Sequence, residues 1–197
     1  MATFLGLEYY TPLLPYLESD KDPVDSLNLR RRVFSSGANR WRYTAKFVDT
    51  GLTAALARLS AHMAIHDIEV PFDIEIPQYV GVEVPTVVVN LRAGNYTSGA
   101  TSINVSAARG AIIQMGTLIR IPGLTRMYMV VADFDSGAGT SNAALQIRPT
   151  LERSFTASAG PLDFTPSMNV TYDNVNLNPV TRGKLFSTVV NFVENLP

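Results

Sequence analysis

Arg40-Trp41-Arg42-Tyr43-Thr44-Ala45-Lys46-Phe47 alternates without a break between charged or polar residues and aromatic or apolar ones. A period of two places successive side chains on opposite faces of an extended strand. Trp41, Tyr43, Ala45 and Phe47 therefore form a face made for a core, and Arg40, Arg42, Thr44 and Lys46 a face made for water. Upstream, Val33-Phe34 and the turn-rich Ser35-Ser36-Gly37-Ala38-Asn39 predict a hairpin that feeds this strand. Downstream, Asp49-Thr50-Gly51 opens a helix over about 52–66, where Leu52, Leu56, Leu59 and Met63 recur at helical spacing in an Ala-rich stretch. Asp67 and Pro71 end it. Ile68, Val70, Phe72, Ile74 and Ile76 then alternate again, and Pro71 marks an edge or a strand start.

Residues 1–26 carry Pro12, Pro15, Pro23 and the acidic run Glu18-Ser19-Asp20-Lys21-Asp22. They read as an extended arm docking through Tyr9, Tyr10 and Tyr16, not as a regular element. Between 93 and 110 the chain becomes small and polar, the composition of a domain boundary. Short strands are predicted at 111–114, 117–121, 126–132, 144–148 and 168–172, separated by glycine and proline punctuation. That rhythm without a helix indicates a small barrel or sandwich. The final stretch, 184–194, is β-branched and aromatic and must pair with something. The expected fold class is mainly β with one helix.

The composition excludes several function classes. In 197 residues, 46% are hydrophobic and 17% charged, which argues against a disordered chain. A net charge of -1 leaves no chain-wide basic field for nucleic acid. With no cysteine there are no disulfides, thiolate metal sites or cysteine nucleophiles. The first residues lack a basic signal-peptide start, and no window is apolar enough for a membrane span. Of the 16 basic residues, 13 are Arg. That bias suits interfaces, where Arg is enriched and Lys depleted, and it equally follows from genomic base composition.

Candidate chemistry is sparse. His62 and His66 fall four residues apart on the helix, so both rings can share a face and offer two metal ligands, with Asp49 or Asp67 nearby in sequence. The residue after the first histidine is Met63, where a zincin carries its general base, and a third histidine is lacking. The plainer reading is a pair of helix-terminal histidines. Arg30, Arg31 and Arg32 with Arg40, Arg42 and Lys46 make a local basic cluster, a candidate interface or a solvated strand face. Asp133 and Asp135 precede a glycine-rich loop without calcium-loop spacing. Asn95, Asn104 and Asn169 match the glycosylation triplet by composition. Neither a phosphate-binding loop nor a G-x-S-x-G elbow is present, so no catalytic residue and no cofactor are expected.

The order of elements carries a resemblance. A Trp-bearing strand pair precedes one Ala/Leu-rich helix and an apolar strand ending in Ile76-Pro77-Gln78-Tyr79. Then come Gly116-Thr-Leu-Ile-Arg-Ile-Pro-Gly123, Arg126-Met-Tyr-Met-Val130 and Leu145-Gln-Ile-Arg-Pro149. From about residue 28 onward this resembles the distal tail proteins of long non-contractile phage tails (siphophages). The resemblance implies a discontinuous β-sandwich ring-forming domain over 1–87 plus 179–197, and an inserted OB-like barrel over 88–178. It further implies a homohexameric ring at the virion tail tip, assembled in the host cytoplasm, that joins the tail tube to tip and fibre proteins. DNA would pass through its lumen without specific binding, and no membrane is involved. Under that reading Arg30, Arg32, Arg40 and Arg42 are interface candidates. The alternative is a carbohydrate- or ligand-binding module acting through the barrel, with Tyr96, Tyr128 and Tyr172 as stacking residues. A hydrolase or metal enzyme is a third reading. The two-domain expectation turns on 184–194 returning beside the Trp41 strand.

Overall fold

Alternation sets the first sheet. Trp41, Tyr43, Ala45 and Phe47 are at most 3% exposed, while Arg40 and Lys46 face solvent from the opposite side. The computed structural model describes residues 2–5, 7–10, 15–25, 31–47, 53–66, 70–79, 81–137, 141–174, 180–182, 185–187 and 189–195. In chain order the first elements are β1 (Ala2–Phe4), β2 (Leu7–Tyr10), β3 (Tyr16–Asp25), β4 (Arg31–Phe47), α1 (Thr53–His66) and β5 (Phe72–Glu75). Next come β6 (Val89–Leu91), β7 (Gly94–Tyr96), β8 (Ser102–Ala107), β9 (Ile112–Ile113), β10 (Leu118–Arg120), β11 (Met127–Val130), β12 (Phe134–Asp135), β13 (Ser141–Arg148), β14 (Phe155–Ala157) and β15 (Gly160–Pro161). The chain closes with β16 (Ser167–Asn174), β17 (Val180–Arg182), β18 (Leu185–Ser187) and β19 (Val189–Glu194). The protein is mainly β, and α1 is the single helix among the described residues.

Seven strands form the first sheet in the order β1-β2-β4-β19-β16-β5, with β3 also on β4. The predicted turn at 35–39 is instead part of one continuous 17-residue strand. Its partner is β3, in the segment expected to be irregular. Pairing jumps from Ser19↔Asn39 to Lys21↔Ser35, so Ser36-Gly37-Ala38 are absorbed as a bulge. Small residues can bulge a strand without reversing it. Pro23 is tolerated because β3 pairs on one side only among the described residues. Tyr16, expected to dock the arm, is 53% exposed; Leu17 packs on the core in its place.

Helix α1 lays Leu59 and Met63 on the sheet, while Leu52 lies outside the described residues. Phe72, Ile74 and Ile76 are buried beside them, and β5 is an edge strand, as Pro71 foretold. The C-terminal strand β19 runs between β4 and β16, with Phe192 opposite both Tyr43 and Tyr172. Its ring lies 6.3 Å from that of Tyr43.

Strand β16 belongs to this sheet too, which corrects the expected return point of 179: the chain rejoins at Ser167. Met168, Val170 and Tyr172 are buried on the core face, while Asn169, Thr171 and Asp173 face away. Tyr172 is therefore a residue of the first sheet and not of the insert.

The intervening chain builds a second core around Val89, Leu91, Ile103, Val105, Ile119, Tyr128, Val130, Leu145 and Ile147. The polar stretch 93–110 is not a linker: β8 sits inside the six-stranded order β10-β11-β13-β8-β6-β15. Ile103, Val105 and Ala107 point inward along it. The two ends of that order meet, since Arg120 N–H donates to Asp163 O at 2.9 Å and Asp163 N–H returns a bond at 3.1 Å. A single antiparallel bridge therefore links the two ends of this curled, half-barrel sheet, the barrel unit of the chain.

The two cores touch. Leu118 and Met127 of the barrel pack into the first cluster. The Gln78 amide donates to Leu118 O at 2.6 Å and Phe164 O at 2.7 Å, and accepts from Leu118 N–H at 2.8 Å. Trp41 Nε1 donates to Met127 O at 2.8 Å. The only tryptophan of the chain thus reports the junction. Its emission is expected to be blue-shifted and resistant to acrylamide. Trp41→Phe removes one donor to a buried carbonyl and should cost about 1–3 kcal/mol in urea unfolding; a change within error would mean that bond contributes nothing.

Candidate functional site

Two regions concentrate polar chemistry. The first is the junction of sheet and barrel. Glu194 continues the inward parity of Val190 and Phe192, so alternation puts a carboxylate on the core face, where it is 3% exposed. Arg126, 8% exposed, reaches it from the barrel, with Nε donating to Oε1 at 3.1 Å and Nη2 to Oε2 at 3.2 Å. Trp41 N–H donates to Oε2 at 3.0 Å, and Arg126 Nη2 also donates to Asn39 O. Burial pushes the Glu194 carboxyl above its ordinary range, opposed by the charge of Arg126 and the Trp41 amide. The Tyr128 hydroxyl and Glu152 Oε2 are also buried, without a hydrogen-bond partner among the described residues. Burial, then the nearby Glu152 charge, raises the Tyr128 phenol as well. Neither Arg126 nor Glu194 was singled out from the sequence. The parity of Glu194 with Phe192 was the available signal.

The second region is the ribbon formed by β3 and β4. Pairing of β4 with β19 ends at Arg42↔Val193. Beyond that point β3 is its only strand partner among the described residues, down to Asp25↔Arg31. At about 3.4 Å per residue this two-stranded arm runs on the order of 30 Å past the end of β19. The hairpin of β17 and β18 departs from the other end of the sheet, where Val189 pairs with Lys46.

The basic cluster is not one surface. Arg30 lies outside the described residues. Arg32 pairs through its backbone with Val24 in the arm, and Arg40 is exposed. Arg42, expected as an interface residue, is a clasp within the chain: it ion-pairs with both Glu18 and Asp173, joining β3, β4 and β16. The hydrogen bond it donates to Glu18 chiefly holds its guanidinium above the ordinary value, against partial burial.

The histidine pair packs together. The rings of His62 and His66 stack with centroids 4.1 Å apart, against Phe72. His62 Nδ1 lies 2.8 Å from the Tyr172 hydroxyl. His66 Nδ1 is buried with no partner among the described residues. No group of three or more His, Cys, Asp or Glu side chains converges among the described residues. The proposed stacking tyrosines are interior. Tyr128 is 0%, Tyr172 2% and Tyr96 7% exposed, and Tyr96 stacks on Phe155. A stacking platform must present a ring face to its ligand, and these rings present theirs to the core.

No protein-family model matches the chain, and no curated protein sequence matches it either.

Removing one partner of a buried ion pair strands the other charge. Glu194→Ala should therefore lower stability by about 3–5 kcal/mol in urea unfolding. Arg126→Met combined with Glu194→Leu should recover most of that loss, and equal loss in both would show the pair is not the cause. Burial first, and then the charge of His66, holds the His62 imidazole below its ordinary value of 6.5. The folded chain favours the neutral ring, so stability present above that value is lost as pH falls through the lowered one. The urea midpoint should drop on acidification below about pH 6.5, and drop less in His62→Gln. Parallel curves would assign the acid loss to other groups.

Proposed function

We propose that the chain is a structural subunit of a phage tail tip. Copies close into a ring hub, six by the resemblance to distal tail proteins, and the ring joins the tail tube to tip and fibre proteins around a DNA lumen. The observation that carries this reading is the β3–β4 arm. An isolated two-stranded ribbon is marginal in water, and this one runs past its own sheet with a strand edge open among the described residues. Such an edge gains main-chain hydrogen bonds when it adds to a neighbour. A head-to-tail contact between different surfaces generates a ring when its rotation closes. Arm and hairpin leaving opposite ends of one sheet suit that contact, because the two sides of a subunit differ. The inserted unit is, in this reading, the outward module for fibre proteins. In this reading the protein is not an enzyme and works through its surfaces.

A mass-spectrometric inventory of particles of the encoding phage tests the assignment, with the chain expected among the tail components at a fixed copy number. Its absence from purified particles overturns the reading. Shortening the arm to a tight turn between Lys21 and Ser35, which keeps Asn39, should leave the Trp41 emission unchanged and abolish incorporation. Normal incorporation would remove the arm from the assembly contact.

A further inference from the structure

On the barrel, Val82, Ile112, Met115 and Phe134 line an open groove of about 620 Å³. Ile112 is 55% and Met115 63% exposed, beside a core whose own residues are enclosed. Val84, 41% exposed, stands two residues from the rim. Large apolar side chains gathered at a concave site mark a place where another surface belongs. The rim is acidic. Asp133 Oδ1 accepts from Met115 N–H at 2.6 Å and Asp135 Oδ1 from Gly137 N–H at 2.7 Å. Each carboxylate keeps a second oxygen that no described residue engages, and no Lys or Arg among the described residues lines the groove. The floor is the ribbon of β9 and β12, with Ile112 opposite Asp135, and each strand has one partner only among the described residues. The groove thus asks for an extended segment that is both basic and apolar.

Two stretches of this sequence have that chemistry, Arg30-Arg31-Arg32-Val33-Phe34 and Arg182-Gly183-Lys184-Leu185-Phe186, and only the first carries its basic and apolar residues along one continuous strand, β4. Its strand portion lies in the projecting arm, beyond the last residue paired with β19. Arm and groove lie on different units of the subunit, so joining them between copies is a head-to-tail contact that can repeat. We infer that the groove between Val82, Ile112, Met115 and Phe134 receives the strand Arg31–Phe34 of a second copy, with Asp133 and Asp135 taking its arginines. The inference rests on the ring reading and names one contact of the ring.

The chain has no cysteine, so a pair can be placed without background. Two full-length double variants cover both faces of the arm strand: Met115→Cys with Val33→Cys, and Met115→Cys with Arg32→Cys. One of them, oxidised at concentrations where sedimentation velocity records association, should give a ladder of covalent oligomers. Mixing the corresponding single variants should stop at covalent dimers, because the contact joins two different surfaces. Asp133→Asn with Asp135→Asn keeps the acceptors for Met115 and Gly137 while removing both charges, and should lower the cross-linking yield at least tenfold. Oligomers that form without either cross-link, a yield unchanged by the Asn pair, or no association at all would overturn the inference. The particle inventory decides the ring reading separately: a chain present in particles whose cysteines never join leaves the ring standing and refutes this contact.

Discussion

The Glu194 carboxylate is the constraint on which the arrangement of the two units depends. It arrives on the last strand, on the core side of a sheet, where a bare charge would be far too costly to bury. Arg126 neutralises it from the barrel and the Trp41 amide satisfies it from the neighbouring strand. Three distant parts of the chain must therefore be in place together before this carboxylate is stable. Apolar packing by Leu118 and Met127 supplies adhesion at the same junction, yet adhesion between greasy faces is indifferent to small rotations. The directional bonds from Arg126, Trp41 and Gln78 select one orientation. A buried ion pair is a poor source of stability against an apolar substitute, and here its evident use is registration.

Much of the fold was legible because burial on one face of a strand writes itself as alternation. The runs 41–47 and 72–76 read correctly, and so did 190–192 as a strand that returns to the first sheet. The run 168–172 carries the same pattern, Met168, Val170 and Tyr172 against Asn169 and Thr171. Alternation reports that a strand has an inner face; it does not say which core that face meets, and pairing with β5 and β19 places this run in the first sheet. The bulge at Ser36-Gly37-Ala38 was misread for a related reason. Small flexible residues permit either a reversal or a local swelling of a strand, and the partner decides between them. That partner, β3, was hidden by its prolines and carboxylates, which suit an edge and look like a loop.

The candidate sites were less legible. Charged residues cluster in sequence at 30–32 and 40–46, but pleating and the length of β4 distribute them, and Arg42 is spent within the chain on Glu18 and Asp173. The tyrosines were marked by type alone, and type does not separate a ring that packs from a ring that binds. His62 and His66 do share a helix face, as spacing required; that face is turned toward Phe72 and Tyr172. What the sequence lacked in each case was the direction of solvent.

Gln78 has a consequence for how such a chain can change. One side-chain amide grips Leu118 and Phe164, so the places where the polypeptide leaves the first sheet and comes back to it are stitched side by side. To the host scaffold the whole excursion is a plug with a single socket. Lineages could trade that plug for one of another size, provided the replacement again brought a cation to Glu194.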